Sequence, residues 1–152
     1  MIKRIHHIAI AVADLDAAVK VYKEVLGVDP VMREFEPHNL RWAIFPLGES
    51  EIQLCQNPRD PSDLEAIDDA GVARRYHDFI KQRGEGFHHV ALEVDNLQET
   101  MSGIHSNKVT VAGRPIADAK PLIEPRARLV FFEQSGLNGA AIELIQIDEA
   151  RS

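Results

Sequence analysis

One phrase is written twice in this chain. "RIHHIAIAVADL" fills positions 4–15 and "GFHHVALEVDNL" fills positions 86–97. Each sets a histidine doublet before a short run rich in Ile, Val, Ala or Leu, which reads as a strand. Asp14 in the first copy, and Asn96 or Asp95 in the second, stand where a helix N-cap belongs. Leu15, Val19, Tyr22, Val25 and Leu26 then recur at helical spacing before Gly27 supplies the stop, and Leu97, Met101 and Ile104 do so in the second copy. The doublets stand 82 positions apart, His6 to His88. Doublet, strand, cap and amphipathic helix recurring together mark a duplicated supersecondary unit.

The segments beyond each helix extend the repeat. "PVMREF", "RWAIFPL" and "EIQLC" are strand candidates separated by turn-formers (Pro37, Asn39, Gly48, Glu49, Ser50), giving β-α-β-β-β. The second copy has strand-like runs near 109–112 and 121–124, then "RLVFFEQ" and "AAIELIQI". "EIQLC" and "AIELI" lie 90 positions apart, Gln53 to Glu143. Between the copies comes a Pro- and Asp-rich loop, "NPRDPSDLEAIDDAG", and then "VARRYHDFIKQ", with Val72, Tyr76, Phe79 and Ile80 on one helical face before Gly84. The expected fold class is α+β, two paired βαβββ modules forming a cleft. Residues 1–152 form a single domain in this reading: module one at about 1–56, a linker with a connecting helix at about 57–85, module two at about 86–148.

The totals narrow the function classes. With 152 residues, 45% of them hydrophobic, the chain is long enough for one core or for two small modules sharing one. A formal charge of −7 argues against a general nucleic-acid binder. Cys55 is the single cysteine, which excludes an internal disulfide framework and fits a reducing compartment. His6 and His7 interrupt the apolar run that a signal peptide needs, and no window reaches the apolar length of a membrane span. The expectation is a cytoplasmic protein with no nucleic-acid or membrane partner.

Four polar positions fall at equivalent places in the two copies. His7 matches His89 at the start of the first strand, and Gln53 matches Glu143 in the middle of the last. A lone histidine in a strand is more often a satisfied core or edge residue than a ligand. Gln53 and Glu143, however, interrupt apolar runs, where a carboxylate lacking a partner is costly. A cation removes that cost, and so does an arginine; the residues alone leave both open. Two imidazoles, a carboxylate and an amide oxygen suit a divalent first-row ion such as Zn, Mn, Fe, Co or Ni. A cysteine-rich zinc site is excluded.

"HHIAIAVADLDAAVKVYKEVLG", "FPLGESEIQLC", "GEGFHHVALEVDNL" and "GAAIELIQ" resemble the vicinal-oxygen-chelate (glyoxalase/bleomycin-resistance/dioxygenase) superfamily, and within it most of all the methylmalonyl-CoA epimerase family. The resemblance spans nearly the whole chain. It implies a metal-binding cleft between the modules, with His7, Gln53, His89 and Glu143 as ligands of a divalent metal ion (Co, Mn, Ni, Fe or Zn). His6 and His88 then point the other way, as packing or surface residues. The implied chemistry is abstraction of an α-proton from a small-molecule substrate, an acyl-CoA in the epimerases, with a metal-stabilised enolate. Glu143 is one implied base and Glu36 the other, and a homodimer is the implied assembly.

The chain departs from the family in two places. Epimerases usually have Glu-Gln-Gly where this chain has Glu36-Pro37-His38-Asn39, so Glu36 fits only after a one-residue shift, and Glu34 and His38 are substitutes. A "His-Pro-Lys"-like turn associated with the acyl-CoA is replaced by "FFEQSGLNG", where Glu133 repels a phosphate. Arg114, Lys120, Arg126 and Arg128 are candidates to hold a phosphate or carboxylate, against the commoner role of solvated surface. The runner-up is a glyoxalase I-type lactoylglutathione lyase or another lyase of the superfamily. A drug-sequestering binder usually lacks the four ligands, and a dioxygenase has no use for Gln53.

Overall fold

Asp14 has extended backbone, and its carboxylate accepts a hydrogen bond from the Ala17 amide at 2.9 Å. That caps helix α1 (Leu15–Leu26), which Gly27 ends at φ 69°, a left-handed conformation that a side chain would strain. Asn96 repeats the capping at α3 (Leu97–Ser102), accepting from the Glu99 amide at 3.0 Å. These features come from a computed structural model, which describes residues 1–35, 40–56, 72–105, 109–111, 114–115, 122–124, 127–132, 137 and 140–148. The remaining elements are β1 (Ile2–Ala11), β2 (Val31–Phe35), β3 (Leu40–Leu47), β4 (Ser50–Gln56), α2 (Val72–Arg83), β5 (Gly86–Val94), β6 (Thr110–Val111), β7 (Arg114–Pro115), β8 (Leu122–Glu124), β9 (Ala127–Phe132) and β10 (Ile142–Ile147).

The chain is α+β, with strands in both parallel and antiparallel pairs. It divides into two compact units, His7–His88 and Met1–His6 with His89–Ser152.

In the unit His7–His88, β1 pairs with β4 in parallel, while β2–β3 and β3–β4 are antiparallel. Gly48, at φ 65°, turns β3 into β4, so that Leu47 pairs with Ser50. Side chains alternate across each strand, so the two sheet faces have separate covers. Leu15, Ala18, Val19, Tyr22 and Leu26 of α1 pack on Ile10, Ala43, Phe45, Ile52 and Leu54. Burying each of the large side chains fully stabilises by about 1.5–3 kcal/mol. Val25, expected on that stripe, stands out in solvent at 75% exposure. It sits one residue off the i, i+3, i+4 line through Leu15, Val19, Tyr22 and Leu26, and Ala18 takes its place. On the opposite face, Tyr76, Phe79 and Ile80 of α2 pack with Ala9, Ala11, Leu40, Trp42 and Cys55.

In the other unit, β10 pairs with β5 in parallel and with β9 antiparallel, and β8 pairs antiparallel with β9. Leu97, Met101 and Ile104 pack with Leu92, Val94, Val130, Phe132, Ile142 and Leu144. The run near 109–112 does not join these strands. Its strand β6 is two residues long, pairs with β7 as a separate ribbon, and buries Val111 in the α3 core. The order βαβββ is therefore met by β5, α3, β8, β9 and β10, with a small hairpin inserted.

The duplication extends to a polar tether. Gln56 Oε1 at the end of β4 accepts from the Leu15 amide at 3.4 Å, and Gln146 Oε1 in β10 accepts from the Leu97 amide at 2.8 Å. In each half an amide side chain on the last strand satisfies a donor at the start of the helix, one of the orphan groups of a helix N-terminus.

Candidate metal centre

The parallel register of β5 and β10 sets Glu143 beside Ala91, two residues beyond His89. By alternation, His89, Ala91 and Glu93 lie on the same face as Glu143 and Ile145. His89 Nε2 lies 3.1 Å from Glu143 Oε2, with the side chains 1% and 3% exposed. Phe131 stands edge-on to the imidazole, ring centroids 5.0 Å apart. An ionised carboxylate this deep needs a compensating charge or donor. The imidazole is a donor only when Nε2 carries a proton.

In the unit His7–His88 the same register recurs. Gln53 pairs with Ala9, two residues beyond His7. His7, Ala9 and Ala11 share a face with Glu51, Gln53 and Cys55. His7 is 5% exposed, and Gln53 Nε2 donates to Glu51 Oε2 at 2.8 Å. Ala9 and Ala91 carry only a methyl, so neither crowds the polar residue beside it.

His7 is buried in the unit His7–His88, and His89 and Glu143 are buried in the other unit. The chemistry of this donor set fits a divalent ion: two imidazole nitrogens that bind when neutral, and a carboxylate whose charge the ion balances. Gln53 offers an amide oxygen from the face that carries His7.

The other expected residues divide. His88 is buried rather than at the surface: it stacks on Tyr76 with ring centroids 4.3 Å apart and meets Phe79 edge-on at 5.0 Å. His6 is half-buried. Glu36, His38, Lys120, Arg126 and Glu133 lie outside the described residues, and of Arg114 only the strand is described. Glu34 is exposed and accepts from Arg41 Nε at 3.3 Å. Arg128 Nη2 donates to Asp148 Oδ1 at 2.9 Å.

Two acidic residues escaped the sequence reading. Glu51 is one, marked only by its position two residues from Gln53 on one strand. Glu93 is the other. It is buried, accepts from Lys3 Nζ at 2.7 Å and Arg4 Nε at 2.8 Å, and ends up below its ordinary pKa of 4.5. The Lys3 hydrogen bond is the largest cause, opposed by burial and reinforced by Arg4. A cavity of about 380 Å³ opens beside it, lined also by Lys3, Asp95, Gln146 and Asp148 and by none of the four candidate ligands.

Residues 6–125 match the family model of the glyoxalase/bleomycin resistance protein/dioxygenase superfamily. The chain belongs to this superfamily. Members similar to it include the mitochondrial methylmalonyl-CoA epimerase of Bos taurus, 28% identical over 94% of this chain and 74% of that one. The ethylmalonyl-CoA/methylmalonyl-CoA epimerase of Cereibacter sphaeroides is 26% identical over 97% of this chain and all of its own length (100%). Among solved structures, a variant of Streptomyces coelicolor methylmalonyl-CoA epimerase in complex with 2-nitronate-propionyl-CoA aligns with a TM-score of 0.72 at 24% identity, covering 100% of this chain and 99% of that one. That likeness establishes the fold. Among the described residues, no helix is long and apolar enough to cross a membrane.

Proposed function

We propose that this superfamily member is a metal-dependent epimerase of methylmalonyl-CoA or a closely related 2-substituted malonyl-CoA thioester. The observation that carries the reading is the buried pair His89 and Glu143, Nε2 to Oε2 3.1 Å, in a chain whose relatives include epimerases of such thioesters. His7, His89, Glu143 and Gln53 would hold the ion. When bound, a divalent cation supplies Lewis-acid polarisation of the thioester carbonyl, lowering the cost of negative charge on its oxygen.

The chain's own groups carry the proton. Glu143 has two carboxylate oxygens, so one would ligate while the other takes the α-proton. The electron pair of the broken C–H bond delocalises onto the carbonyl oxygen, and the α-carbon becomes planar. A second acid on the opposite face then returns a proton to carbon, inverting it. Glu36 is proposed for that role. Burial around Glu143 keeps water away, and a positioned carboxylate of this kind contributes about 10²–10⁴-fold. A homodimer belongs to the same proposal.

The test is solvent exchange. Protein loaded with cobalt(II) and mixed with methylmalonyl-CoA in D2O is expected to wash out the α-proton signal, and Glu143→Gln is expected to slow this by about 10²–10⁴-fold. Cobalt bound stoichiometrically with no exchange would reject the epimerase reading and leave another superfamily reaction.

A further inference from the structure

Gln53 is the weakest donor of the proposed set, and the one in which turning the terminal group replaces the ligating atom with a group that cannot ligate. Its amide presents an oxygen, which binds a cation, or an NH2, which repels one. Nothing intrinsic to the side chain selects between them, because the two orientations have nearly the same shape. A neighbour must choose.

Glu51 is placed to do so. It sits two residues before Gln53 on β4, hence on the same face, and is in register with His7 on β1. Gln53 Nε2 donates to Glu51 Oε2 at 2.8 Å. An ionised carboxylate only accepts, so it holds the amide nitrogen and repels the amide oxygen. Both side chains are half-buried, which shelters this hydrogen bond from full competition with water.

We infer that Glu51 is a positioning residue of the metal centre: it captures the amide nitrogen of Gln53 and so turns the amide oxygen toward the cation. The inference rests on the ligand reading above, and it assigns Glu51 no contact with metal or substrate. Outer groups of this kind typically change metal affinity by about 10–100-fold.

Cobalt(II) titration of the metal-free protein, followed by its visible absorption and by calorimetry, tests it without any turnover. Glu51→Ala is expected to weaken cobalt binding about tenfold, the low end of that range for a neutral ligand. Glu51→Gln is expected to retain affinity, because its Oε1 still accepts from Gln53. In a Gln53→Ala background, Glu51→Ala is expected to cost nothing more. Glu51→Ser, too short to reach the amide, repeats the measurement should the alanine variant fold poorly. Equal losses in both backgrounds would make Glu51 a ligand or a long-range charge and overturn the positioning role. So would unchanged cobalt affinity in Glu51→Ala while Gln53→Ala weakens it, with the ligand set left standing. If Gln53→Ala itself leaves cobalt affinity and spectrum untouched, Gln53 is no ligand, and the wider reading fails at that residue along with the inference.

Discussion

His89 Nε2 and Glu143 Oε2 lie 3.1 Å apart with both side chains almost wholly buried. Such a pair has two uses for its proximity. As a hydrogen-bonded pair it satisfies a carboxylate that burial would otherwise penalise; as two donors to one cation it must give up that proton. The second use makes metal binding release protons, a behaviour a purely structural pair lacks.

Loss of either partner separates the two. His89→Ala is expected to remove stoichiometric metal and, by leaving Glu143 buried without its neighbour, to destabilise the protein by about 3–5 kcal/mol. Glu143→Gln keeps the shape and removes the charge. It is expected to lower proton exchange at the substrate α-carbon by about 10²–10⁴-fold, with a much smaller fall in thermal midpoint. Metal analysis beside a thermal melt reads both effects.

Removal of the ion is the second prediction. Prolonged chelation is expected to abolish exchange and to lower the midpoint, since a ligand that binds only the folded state stabilises it. Cobalt(II) added back is expected to restore both. Restoration of stability without exchange would mean that the ion is structural.

Much of this was legible in the chain because the duplicated phrase carries its own register. Asp14, Asn96, Gly27 and the α3 stripe lie where the sequence predicts, since caps and helical spacing are local. The pairing of Gln53 with Ala9 and of Glu143 with Ala91 is not local; the sequence showed only that Gln53 and Glu143 hold equivalent places in the two copies. The aromatic seat of His88 was hidden, because Tyr76 and Phe79 reach it from a helix whose docking no periodicity specifies. Glu51 and Glu93 were hidden for another reason: a strand carboxylate reads as exposed until its partners (Gln53 for one, Lys3 and Arg4 for the other) are known.

The acid limb of stability depends on Glu93. Its carboxylate is held below 4.5 in the folded state, chiefly by the Lys3 hydrogen bond, so the unfolded chain takes up its proton first as pH falls. Its contribution is complete above the unfolded value and is lost as pH drops through the folded one. Glu93→Gln is expected to cost about 1–2 kcal/mol at pH 7, discounted because Lys3 and Arg4 reach solvent, and to flatten the stability–pH curve on its acid side. Lys3 acts with the opposite sign: its pKa is raised above 10.5 by the same partner, so its share is present at neutral pH and lost as pH rises beyond that value. Denaturant melts from pH 3 to pH 8, roughly bracketing the ordinary carboxylate range, check the acid side.

A final prediction concerns the small residue beside Glu143. Ala91 is 0% exposed, packs with Ala127 and Ile145, and lies in register with Glu143 on one side of the strand pair. In a close-packed interior, added methylenes there push on the neighbours that share the face, His89 and Glu143 among them. Ala91→Leu is expected to cost about 1–3 kcal/mol by overpacking and to weaken cobalt binding through the displaced pair. Val90→Leu, one residue away on the opposite face, gives the contrast, since its extra bulk points toward the helix side of the sheet. It is expected to leave cobalt affinity at the parent value even where it lowers the melting temperature. Equal cobalt losses in the two variants would detach the metal centre from the face that Ala91 shares with Glu143.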